Sequence, residues 1–267
     1  MKSALPQRSP SWLATRALSI VAAACAFGPG TAQATSDLDR VSGYAAVMSN
    51  YVGRGLSQSV GRPSVQVEVN YYASSGWYAG LDVTTINWVD KVYVGSDVHL
   101  ELDAYAGYRW IDGDWTFKAY AMQMIFPGDY APQTPPAQQP DTTEVVGLVA
   151  WRGLSAKLNY SVSDSFGTPN SKGSWYLSLG AGHAFAEKWY ASAGVSRKQP
   201  RGRNPQTGLE NSRNEYTAYR VAMTRAFDHD ISLSLEQTWT NADPALYTVD
   251  GYNVAGSHLA LIVQKNF

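Results

Sequence analysis

Residues 100–110, LELDAYAGYRW, place Leu100, Leu102, Ala104, Ala106 and Tyr108 on one side of an extended chain and Glu101, Asp103, Tyr105 and Arg109 on the other. Successive side chains of a strand point to opposite faces, so one face is apolar and the other ionic. The same period of two recurs. VQVEVNYY sets Val65, Val67, Val69 and Tyr71 against Gln66, Glu68, Asn70 and Tyr72, and LSAKLNYSV sets Leu154, Ala156, Leu158 and Tyr160 against Ser155, Lys157, Asn159 and Ser161. About twelve such segments are predicted, at 41–53, 64–73, 77–86, 98–110, 115–126, 143–152, 154–164, 174–186, 189–197, 215–227, 230–240 and 257–267. The fifth and sixth, with AYAMQMIF and VVGLVA, are apolar on both faces. After the first 34 residues there is no amphipathic helix and no apolar run of about 18 residues, so no helical membrane span is predicted.

The connections sort by length. After even-numbered segments they are tight (74–76, 112–114, 152–153, 187–188, 228–229), and after odd-numbered ones they are long (54–63, 87–97, 127–142, 165–173, 198–214, 241–256). Short turns on one rim and long loops on the other are the pattern of an outer-membrane barrel, with the short side periplasmic. A secreted two-sheet sandwich, the competing architecture, has no reason to sort its loops this way. Proline cannot donate to a strand ladder, and every proline after residue 34 falls in a proposed long loop: 63, 127, 132, 135, 136, 140, 169, 200, 205 and 244. Trp77, Trp110, Trp115, Trp151 and Trp189 fall beside the short turns, with Phe185, Phe227 and Phe267; Trp88, Trp175 and Trp239 fall at the long-loop ends. Two aromatic belts are expected where amphipathic rings meet two membrane interfaces.

The ends of the chain agree with export. Lys2, Arg8 and Arg16 precede the apolar stretch ALSIVAAACAFG, and AQA at 32–34 has the small-x-small pattern of a cleavage site. Residues 1–34 are therefore predicted to be a cleaved secretory signal, leaving 35–267 as a single barrel domain. Cys25 follows three alanines without the leucine usual before an acylated cysteine, which makes a lipoprotein anchor the lesser alternative. Loss of 1–34 removes three of 21 basic residues and the only cysteine, so 18 basic residues face 22 acidic ones, a net charge of −4. No disulfide can hold such a domain, and the modest acidity argues against a nucleic-acid partner. The last residues, SHLALIVQKNF, alternate and end on Phe267, as in the strand that the outer-membrane assembly machinery reads.

Hydrocarbon offers no partner to an open sheet edge, and an even number of strands can close on itself. The expected fold is all-β: a transmembrane antiparallel up-and-down β-barrel of about twelve strands. Its lumen would hold Glu68, Asp82, Glu101, Asp103, Glu144 and Glu236 against Arg109, Lys118, Lys157 and Arg220, with Asn50, Asn70 and His99 among them. Charges of both signs in a narrow space pair with one another or share water. Arg54 is placed at the outer rim of the first strand, and Arg201 and Arg203, with Lys198 and Arg213, on a basic outer loop.

The runs SNYVGRGLSQS at 49–59, GRPSVQVEVNYY, SGWYAGLDV and LELDAYAGYRW resemble the TorF-like porin family (the Gcw_chp family) of proteobacterial outer-membrane β-barrels. The resemblance spans essentially the whole chain after the signal. AGLDVTTINW departs from the Trp-x-Ser-Asn-Val stretch usual in the family, and the loop at 127–142 is rich in proline. The resemblance implies an outer-membrane channel in a Gram-negative cell, reached through the periplasm.

Three functions stay open on the residues. The first is a porin passing small polar solutes by narrow, passive diffusion, since about eight strands give a filled barrel and 16–18 an open channel. The second is a plugged structural barrel, or an adhesive one whose loops bind a partner. The third is an outer-membrane hydrolase. For that, His183 faces lipid without a nucleophile, and His99 lies near Asp97 and Glu101 without a triad. No catalytic residue, metal-ligand spacing or cofactor motif is predicted, and the chain is read as not an enzyme. The expected partners are outer-membrane lipid, lipopolysaccharide, the assembly machinery and an unidentified small polar solute.

Overall fold

A computed structural model describes residues 39–133 and 136–267, so the predicted signal at 1–34 lies outside the described residues. The wall consists of β1 (Arg40–Met48), β2 (Ser64–Tyr72), β3 (Trp77–Thr85), β4 (Leu100–Asp112), β5 (Trp115–Ile125) and β6 (Thr142–Trp151). It continues with β7 (Leu154–Ser161), β8 (Trp175–Ala186), β9 (Trp189–Gln199), β10 (Tyr216–Ala226), β11 (Ile231–Thr240) and β12 (His258–Asn266). Each strand pairs antiparallel with its neighbours in sequence, and β1 pairs with β12 to close the barrel of twelve. The closing register sets Tyr44 opposite Asn266 and Val47 opposite Val263. Closure leaves no wall strand with an unpaired edge, which is the condition for a sheet in lipid.

The alternation sorts side chains as the pleat requires. Val65, Val67, Leu81, Val83, Leu158, Leu179, Leu235, Leu259 and Leu261 are exposed on the outside. Gln66, Asn70, Asp82, Thr84, Glu101, Glu144, Asn159, Arg220, Glu236 and Gln264 are buried inside. This reverses a water-soluble protein, in which each large aliphatic left in water would forgo roughly 1.5–3 kcal/mol of burial. Around the short-turn rim an aromatic girdle forms. Trp110 stacks on Phe117 (4.7 Å), Trp115 on Trp151 (5.6 Å), and Trp77 meets Tyr108 edge-on (5.5 Å). On the long-loop side Trp239 stacks on Tyr219 at 5.7 Å. Trp88 leaves this belt: it packs inside the barrel, edge-on to Phe126 at 5.5 Å.

Segment five, apolar on both faces, finds its explanation inside. The loop 86–99 carries a single helical turn, α1 (Val89–Val92), and folds over the bore. Val89, Tyr93 and Val98 pack with Met122, Met124 and Phe126 in a buried cluster that also includes Tyr44, Met48 and Ile262. The inner face of β5 is therefore apolar where it receives a loop and polar further along, at Lys118. A second apolar cluster joins Tyr176 and Tyr216 to Tyr247 and Val254 of the loop 241–257.

Leu235 sits mid-strand on the outer face, paired with Met223 and Leu261. Leu235→Arg is expected to lower the unfolding free energy in phospholipid vesicles by about 2–4 kcal/mol, read from a urea titration. A neutral or stabilising effect would mean that this face meets water.

Candidate functional site in the bore

The segment 49–63 does not stay at the rim. β1 ends at Met48, five residues short of the predicted boundary at 53, and the chain turns into the bore. Asn50 Oδ1 accepts from Ser57 Oγ (2.6 Å) and Ser59 Oγ (3.0 Å), and Ser59 Oγ accepts from the Tyr51 N–H (2.9 Å). These bonds draw the segment into a small hairpin in which Val52 pairs with Ser57 and Gly53 with Leu56. Its two turn residues, Arg54 (φ 52°) and Gly55 (φ 85°), are both left-handed, as a tight hairpin turn of the primed kind requires. A Cβ on Gly55 would lie 2.5 Å from the Ala218 Cβ, so the tip presses on the wall at β10. The Tyr216 hydroxyl donates to the Arg54 carbonyl (2.7 Å) and holds that non-glycine residue in its strained backbone region.

From this tip the Arg54 guanidinium reaches Glu144 on β6. Nη1 donates to Oε1 at 2.8 Å and Nη2 to Oε2 at 2.7 Å. The planar fork matches a carboxylate with two parallel hydrogen bonds. The Phe166 and Tyr176 rings flank it at 5.1 and 5.5 Å. Glu144 also accepts from Asn159 Nδ2 at 2.8 Å. Burial works against the charge on Arg54, but the adjacent Glu144 carboxylate outweighs it and leaves the guanidinium more basic than a free arginine. The rim position expected for Arg54 is thus corrected: it stands within the bore, because Glu144 offers a buried counter-charge there.

Two cavities lie in the bore, and Arg54, with Gln58, Phe166 and Tyr176, lines both. The inner one, about 320 Å³, reaches Tyr72, Tyr78 and Tyr120 toward the short-turn side, and the outer one, about 220 Å³, reaches Trp88, Leu246 and Val254 of the long loops. The inner cavity gathers acids on β2–β4: Glu68, Asp82, Glu101 and Asp103 all line it. Asp82 accepts from Tyr44 Oη (3.1 Å), Gln66 Nε2 (2.8 Å) and Thr84 Oγ1 (2.8 Å). Glu68 accepts from Asn70 Nδ2 (2.5 Å), whose own oxygen takes the Tyr105 hydroxyl (2.9 Å). Asp103 Oδ1 is buried without a hydrogen-bond partner. Bases stand elsewhere on the wall. Lys118 on β5 and Lys157 on β7 line the same cavity, and Arg220 pairs with Glu236 at 2.7 Å. Arg109 lies toward the short-turn end, over the Tyr72 ring at 4.7 Å.

The remaining predicted positions separate from this group. Asn50 is buried, but its hydrogen bonds shape the hairpin. His99 is not in the lumen: it is half exposed and meets Asp97 at 3.0 Å before β4 begins. The cause is a break in alternation, in which Val98 is buried in the loop cluster and both His99 and Leu100 face outward. Arg201 and Arg203 are exposed on the outer loop. Lys198 is not on that loop: β9 runs to Gln199, two residues beyond the predicted end, and Lys198 lines the outer cavity. Phe267 pairs through its backbone with Gly43, beside the closing seam. The hairpin departs from the strand expected through residue 53, and the Gly-Arg-Gly of 53–55 is the turn signal that marks it.

A family model described as "Bacterial protein of unknown function (Gcw_chp)" matches residues 31–267. No curated protein matches the sequence. Among solved structures the chain is similar to the KdgM porin in complex with disordered oligogalacturonate, with a TM-score of 0.47 and 9% identity over 85% of this chain and 99% of that one. It is also similar to the NanC porin (0.49, 9%, 84% and 98%). A third is the COG4313 outer membrane channel from Pseudomonas putida F1 (0.49, 12%, 90% and 99%). At these identities the likeness is one of backbone course alone.

Breaking a buried ion pair on one side strands the other charge, at about 3–5 kcal/mol. Arg54→Ala is expected to destabilise the barrel by that amount in urea unfolding. The double variant Arg54→Ala/Glu144→Gln should recover at least half of the loss.

Proposed function

The chain belongs to the Gcw_chp family, and from the geometry of its bore we propose that it is an outer-membrane channel of the TorF-like porin kind. It passes small polar solutes by passive, narrow diffusion past the Arg54 hairpin. The observation that carries this reading is the pair of cavities, each lined by ionic groups, that share Arg54 inside a lipid-facing barrel. A barrel that served only as a scaffold would gain nothing from keeping so many ionic groups around enclosed space, since each costs desolvation energy. The long loops face the cell exterior and the short turns the periplasm, the arrangement general to outer-membrane barrels.

In this reading a solute enters the outer cavity, passes the arginine and reaches the acid-lined chamber. The Arg54–Glu144 pair stays closed as the constriction, and its polar edge screens passing solutes for polar groups. The acids on β2–β4 outnumber the bases around them and favour cations weakly in a low-dielectric tube. The wall groups bind and orient, and no bond is made or broken. Arg201 and Arg203, exposed on the outer loop, meet lipopolysaccharide phosphates. Phe267, at the closing seam, is the residue the assembly machinery reads.

One observation favours the plugged alternative. The apolar cluster of α1 with Met122, Met124 and Phe126 fills part of the outer half of the bore. Conductance separates the two. In planar bilayers the protein is expected to show small stepwise conductance, and replacing 51–57 by a short Gly-Ser turn should raise it at least about twofold, since this removes the constriction. Asp103→Asn should lower the cation-to-anion permeability ratio in asymmetric salt. Silence of the wild type, with conductance only after the hairpin is removed, would identify a plug.

A further inference from the structure

Three ionic groups line the outer cavity: Arg54, Glu144 and Lys198. The first two neutralise each other through their paired hydrogen bonds of 2.7 and 2.8 Å. That leaves Lys198 as the cavity's net charge. Its ammonium lies over two aromatic faces, 5.6 Å from the Tyr216 centroid and 5.7 Å from that of Tyr247. Ring faces attract a cation but accept none of its directed hydrogen bonds as a carboxylate would. An ammonium has three donors, and no acid or carbonyl among the described residues takes one from Lys198. Those donors therefore face the cavity.

The rest of the lining describes what a ligand would look like. Trp88, Val92, Phe166, Leu246, Val249 and Val254 give it an apolar and aromatic part, beside the uncharged polar side chains of Ser57, Gln58, Thr168 and Asn214 among others. At about 220 Å³, the space is smaller than the roughly 300–1,000 Å³ of pockets for drug-sized ligands. A cavity with one uncompensated positive charge suits one negative charge, because a second would be buried without a partner. Lysine also acts as a point charge, whereas the only bidentate fork in the cavity is already engaged by Glu144.

We propose that the outer cavity is a binding subsite for a small monocarboxylate with an apolar or aromatic body, anchored by Lys198. The carboxylate accepts from the Lys198 ammonium, and the body packs against Trp88 and Phe166. This goes beyond the channel reading, because the subsite exists whether or not the bore conducts.

The test uses the full-length exported chain, purified in detergent micelles at neutral pH, with benzoate as the probe. Calorimetry and Trp fluorescence, which reports on Trp88 and Trp175 at the cavity wall, follow the titration. Benzyl alcohol supplies the same body without the charge, and acetate the charge without the body. Benzoate is expected to saturate one site, with both controls at least about tenfold weaker, benzyl alcohol for want of the charged hydrogen bond and acetate for want of apolar contact. Lys198→Met should weaken benzoate by at least about tenfold and leave benzyl alcohol unchanged, while Lys198→Arg, which keeps the charge, should stay within about threefold. Should the methionine variant not fold, the comparison of benzoate with benzyl alcohol on the wild type and the arginine variant decides the matter. Equal binding of the two, or benzoate binding untouched by Lys198→Met, or no saturable binding, overturns the proposal. Conductance of the same preparation keeps the readings apart: a silent barrel that binds benzoate loses the channel and keeps the subsite, and a conducting one without binding does the reverse.

Discussion

Hydrocarbon cannot hydrogen-bond a peptide group, and the architecture follows from that constraint. It requires β1 to meet β12, since an open sheet of these twelve strands would present two unpaired edges to lipid. Closure then divides the side chains into two populations by the pleat alone. The aliphatic set goes to the acyl chains and the polar set is forced into an enclosed space, where each charge needs a partner or water. The arginine hairpin is one consequence. Glu144 is only 1% exposed and has no cationic partner on its own strand, so a cation comes from a segment 90 residues earlier.

The run SNYVGRGLSQS at 49–59 acquires a physical meaning residue by residue. Asn50 gathers the hydroxyls of Ser57 and Ser59. Gly55 permits both the left-handed turn and the close approach to Ala218. Gln58 holds the neighbouring loop through its carbonyl, which accepts from the Asn87 and Trp88 amides at 2.9 and 3.2 Å. The run is thus a device for carrying Arg54 across the bore with its backbone satisfied. Beyond it the two cavities differ in character: one aromatic with a single net positive charge, the other polar and acid-rich on one side.

Much of this was legible in the sequence because it is local. Period two placed Leu100 and Leu102 outside and Glu101 and Asp103 inside, and Pro and Trp marked the rims. What was not legible depends on distant partners. Alternation continues through Tyr51 and Gly53, so the first strand seemed to run on; only the contact with Glu144 and Tyr216 shows that it departs. Trp88 looked like a belt residue because nothing nearby reveals the pocket beside Phe126. A regular phase puts His99 inside, but burial in its loop is set by packing of Val98 with Met122 and Met124 across the bore. Lys198 reads as loop because the strand's last two residues are polar on both faces.

The hairpin has a mechanical side as well. It springs from β1, abuts Ala218 on β10 and is tied to β6, so it joins three separated arcs of the cylinder. The softest deformation of a thin-walled tube is flattening into an ellipse, which shortens one diameter. A cross-member fastened at three places opposes that shortening with packed atoms and a double hydrogen bond rather than with sheet curvature alone. The cross-section at Arg54 is therefore set by the strut, and lateral pressure from the surrounding membrane has little purchase on it.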